Sequence, residues 1–304
     1  MSEVIVNALS VYEKDLSSYR ELLEVANLAP NTVKNYMDYV GRFANWLIDK
    51  QNSMPLQDVT SRIVREYILH LKDQSLKGNT INQHVAAIRY LYEGVFSITW
   101  NHKAVPVLKY QKISVRVPTT NEVVCLLKSV PEINIWIEIS LMAFCGLRIE
   151  EVSELRFMDI RRERGTIYVQ PSKGREDREV PLPSLILDRL VTYCRMLDHP
   201  KREDYIFPGR KPGTHVTTTT LENHVNRALE RIGWQDRGYT CHKLRHHYGC
   251  IQYLAHPDDL KRLAVLMGHH SLRSTEVYIQ AAASFKNTVE STAQINEILK
   301  GAFQ

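Results

Sequence analysis

Two hydrophobic periods organise this chain. Over residues 31–49 the apolar positions Val33, Tyr36, Val40, Phe43 and Leu47 recur every three or four residues, and Ile81, Val85, Ile88, Tyr92 and Val95 repeat that spacing over 79–95. Such a recurrence gathers one apolar stripe along a helix. Pro30 and Asn31 supply stop and cap signals before the first helix, and Lys77-Gly78-Asn79 supplies a turn before the second. Further helices are expected at 119–128, 136–144, 149–155, 221–232, 243–254, 258–267 and 275–283. Between them a period of two intervenes. Thr166-Ile167-Tyr168-Val169-Gln170 is β-branched and aromatic, Pro171-Ser172-Lys173-Gly174 turns the chain, and Glu179-Val180-Pro181-Leu182 returns as a partner strand. The expected fold is mainly α, with a small antiparallel β-sheet inside its second half. The sequence contains no internal repeat and no low-complexity tract.

With 304 residues the chain has room for about two domains, each able to bury a core. Its 44% hydrophobic and 24% charged residues are those of a globular protein, which argues against disorder and fibrous repeats. The longest apolar stretch, Ile133 to Leu147, is broken by Asn134, Glu138 and Ser140 and falls short of the roughly 20 residues a bilayer requires. No membrane partner is expected. The first residues lack a basic segment followed by an apolar core, so cytoplasmic residence is the expectation. Five scattered cysteines without a C-x-x-C pair fit reduced thiols.

The formal net charge of +5 permits a polyanionic partner, and its distribution is more informative than its size. Residues 1–100 carry ten basic and eleven acidic side chains, whereas 101–117 carry Lys103, Lys109, Lys112 and Arg116 and no acid. That basic connector separates two patterned regions. The expected division is a helical domain over 1–100, a linker over 101–117 and a second domain over 118–304. Both early helices open on small polar and basic residues: Thr32, Lys34 and Asn35 in one, Lys77, Asn79, Thr80 and Gln83 in the other. Free N–H groups and the helix dipole at such ends attract phosphates, and amide side chains suit base edges. Ordinary helix capping is the alternative for these residues, and a solvated loop the alternative for the connector.

Reactive side chains concentrate late in the chain, in Cys241-His242-Lys243-Leu244-Arg245-His246-His247 and Gly268-His269-His270, with Tyr278 nine residues after His269. A zinc reading fails on spacing, because paired ligand blocks are missing and the candidates point around more than one helix face. No acidic cluster suggests a two-magnesium nuclease. What remains is a cationic set suited to holding a phosphate without a metal. An arginine fork binds two oxygens at once and stays charged at every relevant pH. Tyrosine can act as a covalent nucleophile when a basic or cationic neighbour assists it. Spacing alone does not select Tyr278 from 15 tyrosines.

The ordered set of boxes resembles the tyrosine recombinase (phage integrase) family, in the simple two-domain form of the Xer type. The first box is similar to Gly146-Leu147-Arg148-Ile149-Glu150-Glu151 followed by Leu155; the H-x-L-R-H box reads His242-Lys243-Leu244-Arg245-His246; the L-G-H box reads Met267-Gly268-His269; and the terminal tyrosine is Tyr278. The family's hairpin lysine corresponds to Lys173. Met267 in place of the usual leucine, and Lys243 in place of an acidic or small residue, are the departures, and neither touches a catalytic position. The match over residues 10–100 to the family's helical core-binding domain is looser.

The resemblance implies a DNA strand transferase that requires no metal, ATP or other cofactor. Arg148 and Arg245 would clamp the scissile phosphate, with His242 and His269 adding hydrogen bonds or taking the phenolic proton. Tyr278 would form a 3′-phosphotyrosyl bond, and Lys173 would protonate the departing 5′ oxygen. Glu151 and His246 would support them. Lys109, Lys112 and Arg116 would lie against the DNA backbone, the two domains forming a clamp around the duplex. The resemblance also implies a homotetramer on two DNA sites passing through a Holliday junction. The segment 285–300, with Ile295, Ile298 and Leu299 in a stripe ending at Gly301, could dock on a neighbouring protomer or on its own domain. Rivals with related chemistry are a type IB topoisomerase-like enzyme and a telomere resolvase, and outside that chemistry a non-catalytic DNA-binding regulator or a metal-dependent nuclease.

Overall fold

The computed structural model describes residues 11–109, 116–170, 177–268, 278, 282 and 292–303, with side chains from 295 onward in the last of these. The chain divides into two compact units, Met1–Lys112 and Ile113–Gln304.

Among the described residues the first unit has four α-helices: α1 (Glu13–Val25), α2 (Pro30–Lys50), α3 (Ser61–Asp73) and α4 (Gly78–Gly94). The stripes gather into one core, with Val40, Phe43 and Leu47 of α2 and Ile81, Val85, Ile88 and Tyr92 of α4 all buried. Val33, Tyr36 and Val95 pack at its rim. α1 and α3 add Leu16, Tyr19, Leu23, Ile63, Tyr67 and Leu71. Leu16, Tyr19 and Leu23 in α1, and Ile63, Tyr67 and Leu71 in α3, follow the same three- and four-residue spacing as the stripes of α2 and α4. Buried hydroxyls take backbone acceptors, Tyr19 donating to the Ala87 carbonyl at 2.9 Å and Tyr92 to the Leu56 carbonyl at 2.6 Å. Asn31 is not the cap of α2: Ala29 holds that position and Pro30 starts the helix, where its missing N–H costs nothing.

The second unit surrounds α6 (Ile133–Phe144), which is buried along its whole length from Ile135 onward. An all-round apolar helix of this length belongs inside a core. Packed around it are α5 (Thr120–Lys128), α8 (Ser184–Met196), α9 (Thr218–Arg231) and α10 (Cys241–Ala255). Thr119 caps α5 through a reciprocal hydrogen-bond pair with Glu122. The short α7 (Ile149–Ser153) leads into a three-stranded antiparallel sheet of β1 (Ile160–Arg161), β2 (Thr166–Val169) and β3 (Arg178–Pro181). Ile167 faces Val180, and Val169 faces Arg178. β1 is too short to show a period, and β3 starts one residue before the strand expected from Glu179. α11 (Leu260–Met267) ends on Gly268 in the left-handed region at φ +57°.

The last helix, α12 (Thr292–Phe303), runs through Gly301 without stopping there. It packs on α8 and α5 of its own chain, burying Ile295 and Leu299. Asn296 accepts from the Ser184 backbone N–H at 3.0 Å, and Phe303 meets Trp136 edge-on at 5.4 Å. All five cysteines are free thiols. Among the described residues no helix is long and apolar enough to cross a membrane.

Candidate active site

One face of α10 carries His242, Arg245, His246 and Gly249, positions that recur at helical spacing and therefore line up. His242 is exposed at the N-terminal end, and its ring stands perpendicular to that of His246 with centroids 4.4 Å apart. His246 in turn lies 5.2 Å from the ring of Tyr278. Tyr278 crosses the helix at Gly249, where an added Cβ would come within 2.4 Å of the phenol ring. His247 points elsewhere, into the core between the Pro118 carbonyl and the ring of Phe144. The buried Cys241 and Cys250 likewise serve packing, and among the described residues no group of three or more His, Cys, Asp or Glu could hold a metal ion.

Arg148 occupies the N-cap of α7, immediately after the turn at Gly146. That glycine has φ +67°, and a side chain there would strike the Tyr248 ring at 2.2 Å. The turn gives Gly146 a carbonyl aimed at Arg245, which donates to it at 2.5 Å. A second set of acceptors comes from the C-terminal end of α11, whose last carbonyls have no partner within the helix. The Leu266 carbonyl takes Arg178 Nε at 2.9 Å, the Gly268 carbonyl takes Arg148 Nη2 at 2.6 Å, and the Met267 carbonyl takes both Arg148 Nη2 and Arg245 Nη2. The negative end of the helix dipole thus draws three guanidinium groups together.

Glu151 completes the cluster. Its two oxygens accept from Arg148 Nη1 at 2.8 Å, the Arg148 backbone N–H at 2.7 Å, and Arg178 Nη1 and Nη2 at 2.9 and 2.7 Å, while Arg245 stands 3.7 Å away. Burial by itself would raise this carboxyl; the hydrogen bonds and charge of Arg178, the Arg148 amide and the charge of Arg245 outweigh it and bring the pKa down to about 2. Three guanidinium groups against one carboxylate leave two positive charges in excess.

Burial and the neighbouring Arg148 lower the Arg245 guanidinium to about 10, which keeps it charged at neutral pH. Arg245 and Tyr278 are each only 2% exposed. Burial raises the Tyr278 hydroxyl to about 12, against the lowering effect of charge and hydrogen bonding from Arg245 and of charge from Arg148. Partial burial and the cations Arg245, Lys243 and Arg148 lower His242, favouring the neutral imidazole.

Arg148, Arg245, His242, His246, Glu151 and Tyr278 therefore share one site. Lys173, His269 and Lys112 lie outside the described residues. Arg178 escapes a motif reading, yet β3 alternates buried Arg178 and Val180 with exposed Glu179. An inward-facing arginine requires a carboxylate partner, and that alternation is the signal that could have revealed it. Gly249 had a signal too, its place on the stripe of His242, Arg245 and His246. In the first unit Lys34, Asn35, Lys77, Asn79 and Gln83 are exposed, and Thr32 and Thr80 half-buried, at the starts of α2 and α4. Lys77 holds the N-cap position of α4, and neither helix start has a side-chain cap hydrogen bond. Gln83 accepts from the Tyr39 hydroxyl at 2.8 Å. Lys109 is exposed, whereas Arg116 lies 3.6 Å from Glu122 and over the Tyr239 ring.

Comparison with known proteins agrees with this architecture. The phage integrase family profile matches residues 116–284, and the N-terminal SAM-like domain of phage integrases matches residues 16–102. The chain is 29% identical to a putative integrase/recombinase, y4qK, of Sinorhizobium fredii, covering 92% of this chain and 87% of that one. It is 27% identical to tyrosine recombinase XerC of Oceanobacillus iheyensis, covering 90% and 92%. Among solved structures, a lambda integrase dimer bound to a COC′ core site superposes with a TM-score of 0.70 at 18% identity, covering 96% of this chain and 83% of that one. XerH bound to a palindromic difH substrate in a post-cleavage complex also gives 0.70 at 18%, covering 95% and 92%. The chain belongs to the phage integrase family, and it is a site-specific recombinase of the tyrosine, Xer-like type, a DNA strand transferase.

Proposed function

We propose that the chain recombines double-stranded DNA at a specific site, with Tyr278 as nucleophile and Arg148 and Arg245 as the phosphate clamp. The observation that carries this reading is the convergence of both guanidinium groups on the Met267 carbonyl beside the buried phenol of Tyr278. The excess positive charge of the cluster offsets the negative charge of a phosphodiester as it becomes pentacoordinate. The Tyr278 oxygen attacks phosphorus in line. The bond from phosphorus to the 5′ oxygen breaks, leaving a 3′-phosphotyrosyl link and a 5′-hydroxyl. His242, held neutral, and His269 accept the phenolic proton or donate to the phosphate; Lys173 protonates the departing 5′ oxygen. Attack of another strand's 5′-hydroxyl on the phosphotyrosine reverses the steps and joins the new strands.

Thr32, Lys34, Asn35, Lys77, Asn79, Thr80 and Gln83 would read or hold the duplex from the first unit, with Lys109, Lys112 and Arg116 on its backbone. Four protomers would assemble on two sites in the cytoplasm and exchange strands through a Holliday junction. The segment 285–300 is the proposed link between protomers: its Ile295 and Leu299, which pack on their own chain here, would fill the same groove of a neighbour. Paired-site and single-site supercoiled plasmids test the reading. Recombinant products and junctions from paired sites only are expected; relaxation of single-site plasmids without recombinants would favour a topoisomerase.

A further inference from the structure

Arg178 belongs to none of the boxes that identify the family, yet its side chain makes three hydrogen bonds within the arginine cluster, two of them to Glu151. It opens β3, is 7% exposed, and pairs with Val169 at the last rung of the ladder before the segment that carries Lys173. Its Nη1 and Nη2 take the two oxygens of Glu151 in a fork at 2.9 and 2.7 Å, and its Nε reaches the Leu266 carbonyl at 2.9 Å. A planar fork on a carboxylate fixes orientation as well as charge. Gly268 leaves the space for it, since a Cβ there would lie 2.9 Å from Arg178 Nη1 and 3.2 Å from Arg148 Nη1.

Glu151 without Arg178 would be a carboxylate answering only to Arg148 and Arg245. It would then neutralise the very charges that must face a phosphate. With both its oxygens engaged by Arg178, the acid still orients Arg148 through Nη1 and the backbone amide, while the charge of Arg178 restores the positive excess of the cluster.

We propose that Arg178 is a positioning residue of the strand-transfer reaction, acting through Glu151 to aim Arg148 and to keep the acid from quenching the phosphate clamp. The inference rests on the reading given under Proposed function. The groups facing Glu151 are Arg148 beside α7, Arg178 on β3 and Arg245 on α10. Loss of the fork removes the largest single influence holding its proton off.

The test is single-turnover formation of the covalent adduct on a nicked suicide duplex, for the full chain and for R178K, R178Q, E151Q and R178Q/E151Q, across pH 5 to 9. Wild-type protein that forms no adduct would count against the functional reading, whereas the inference is judged only against a wild type that does. R178Q should slow adduct formation about a hundredfold, the cost of a misplaced catalytic group, with DNA affinity preserved. Its rate should gain a new acid limb from Glu151, which R178K weakens and R178Q/E151Q lacks. In the E151Q background the same substitution should cost less than about threefold, because the residue it acts through is gone. Multiplying effects in the double variant, or an R178Q profile of wild-type shape, would overturn the proposal. Should R178Q fail to fold, as its thermal melt would reveal, R178K decides by the same criterion: an acid limb supports the inference and a profile of wild-type shape refutes it.

Discussion

Arg148 and Arg245 donate to a single oxygen, the carbonyl of Met267. The two come from segments far apart in sequence, and one helix end brings them together. The turn after that end depends on Gly268, whose left-handed φ of +57° costs a residue with a Cβ about 1–2 kcal/mol, and whose missing side chain leaves room for Arg148 and Arg178. Gly268→Ala should therefore lower the melting temperature and slow adduct formation at least tenfold while DNA affinity in gel shifts stays near wild type. Wild-type cleavage by this variant would dissociate the turn from the clamp.

Gly249→Ala separates stability from chemistry. Alanine favours a helix over glycine by about 1 kcal/mol, but its Cβ would press on the Tyr278 ring at 2.4–2.8 Å. The ring must shift from α10. Thermal stability should hold while the single-turnover rate falls about a hundredfold. A rate equal to wild type would show that Tyr278 does not react from its seat on Gly249.

The pH dependence of cleavage should follow His242. Partial desolvation of the ring and the neighbouring cations place its pKa below the usual 6.5, so the neutral ring persists into mild acid and is lost only below that value. Single-turnover rates should thus show the histidine limb under pH 6.5. A limb above 6.5 would mean that the ring is charged in the working enzyme.

Stability carries its own pH signature. His84 in the first unit and His247 in the second are buried, and desolvation lowers each to about 4 in the folded chain. Protonation then favours the unfolded chain, whose histidines titrate near 6.5. The stability these two residues contribute is complete above 6.5 and is lost as pH falls through about 4. Calorimetry should find falling melting temperatures across that window, and a flat profile there would contradict neutral burial.

Exposed amides on α4 should affect recognition alone. Asn79→Ala and Gln83→Ala are expected to weaken binding or relax sequence preference by about tenfold per lost base contact while the adduct rate at saturating DNA is unchanged. Footprints on wild-type and altered sites would check this, and a chemical defect at saturation would contradict it.

Much of this was legible in the chain itself. The stripes of α2 and α4 gave two core helices, and alternation around Ile167 and Val180 gave the hairpin, because burial on one side imposes a period. α1 and α3 carry the same spacing, at Leu16, Tyr19 and Leu23 and at Ile63, Tyr67 and Leu71, whereas the two residues of β1 are too few to show a period. At the site, Arg148, Glu151, His242, Arg245 and Tyr278 stood out by ordered boxes. Arg178 did not, because its role depends on β3 starting one residue earlier and turning that side chain inward toward Glu151. The carbonyls of Leu266, Met267 and Gly268 were equally hidden, since backbone acceptors carry no residue identity.

The most direct measurement is covalent trapping on a suicide duplex followed by peptide mapping of the adduct. The expected result is a 3′-phosphoryl link on Tyr278, an adduct absent from Tyr278→Phe although that variant still binds DNA, and lost from Arg148→Ala and Arg245→Ala. An adduct that persists in Tyr278→Phe, or a link that maps to another residue, would contradict the account.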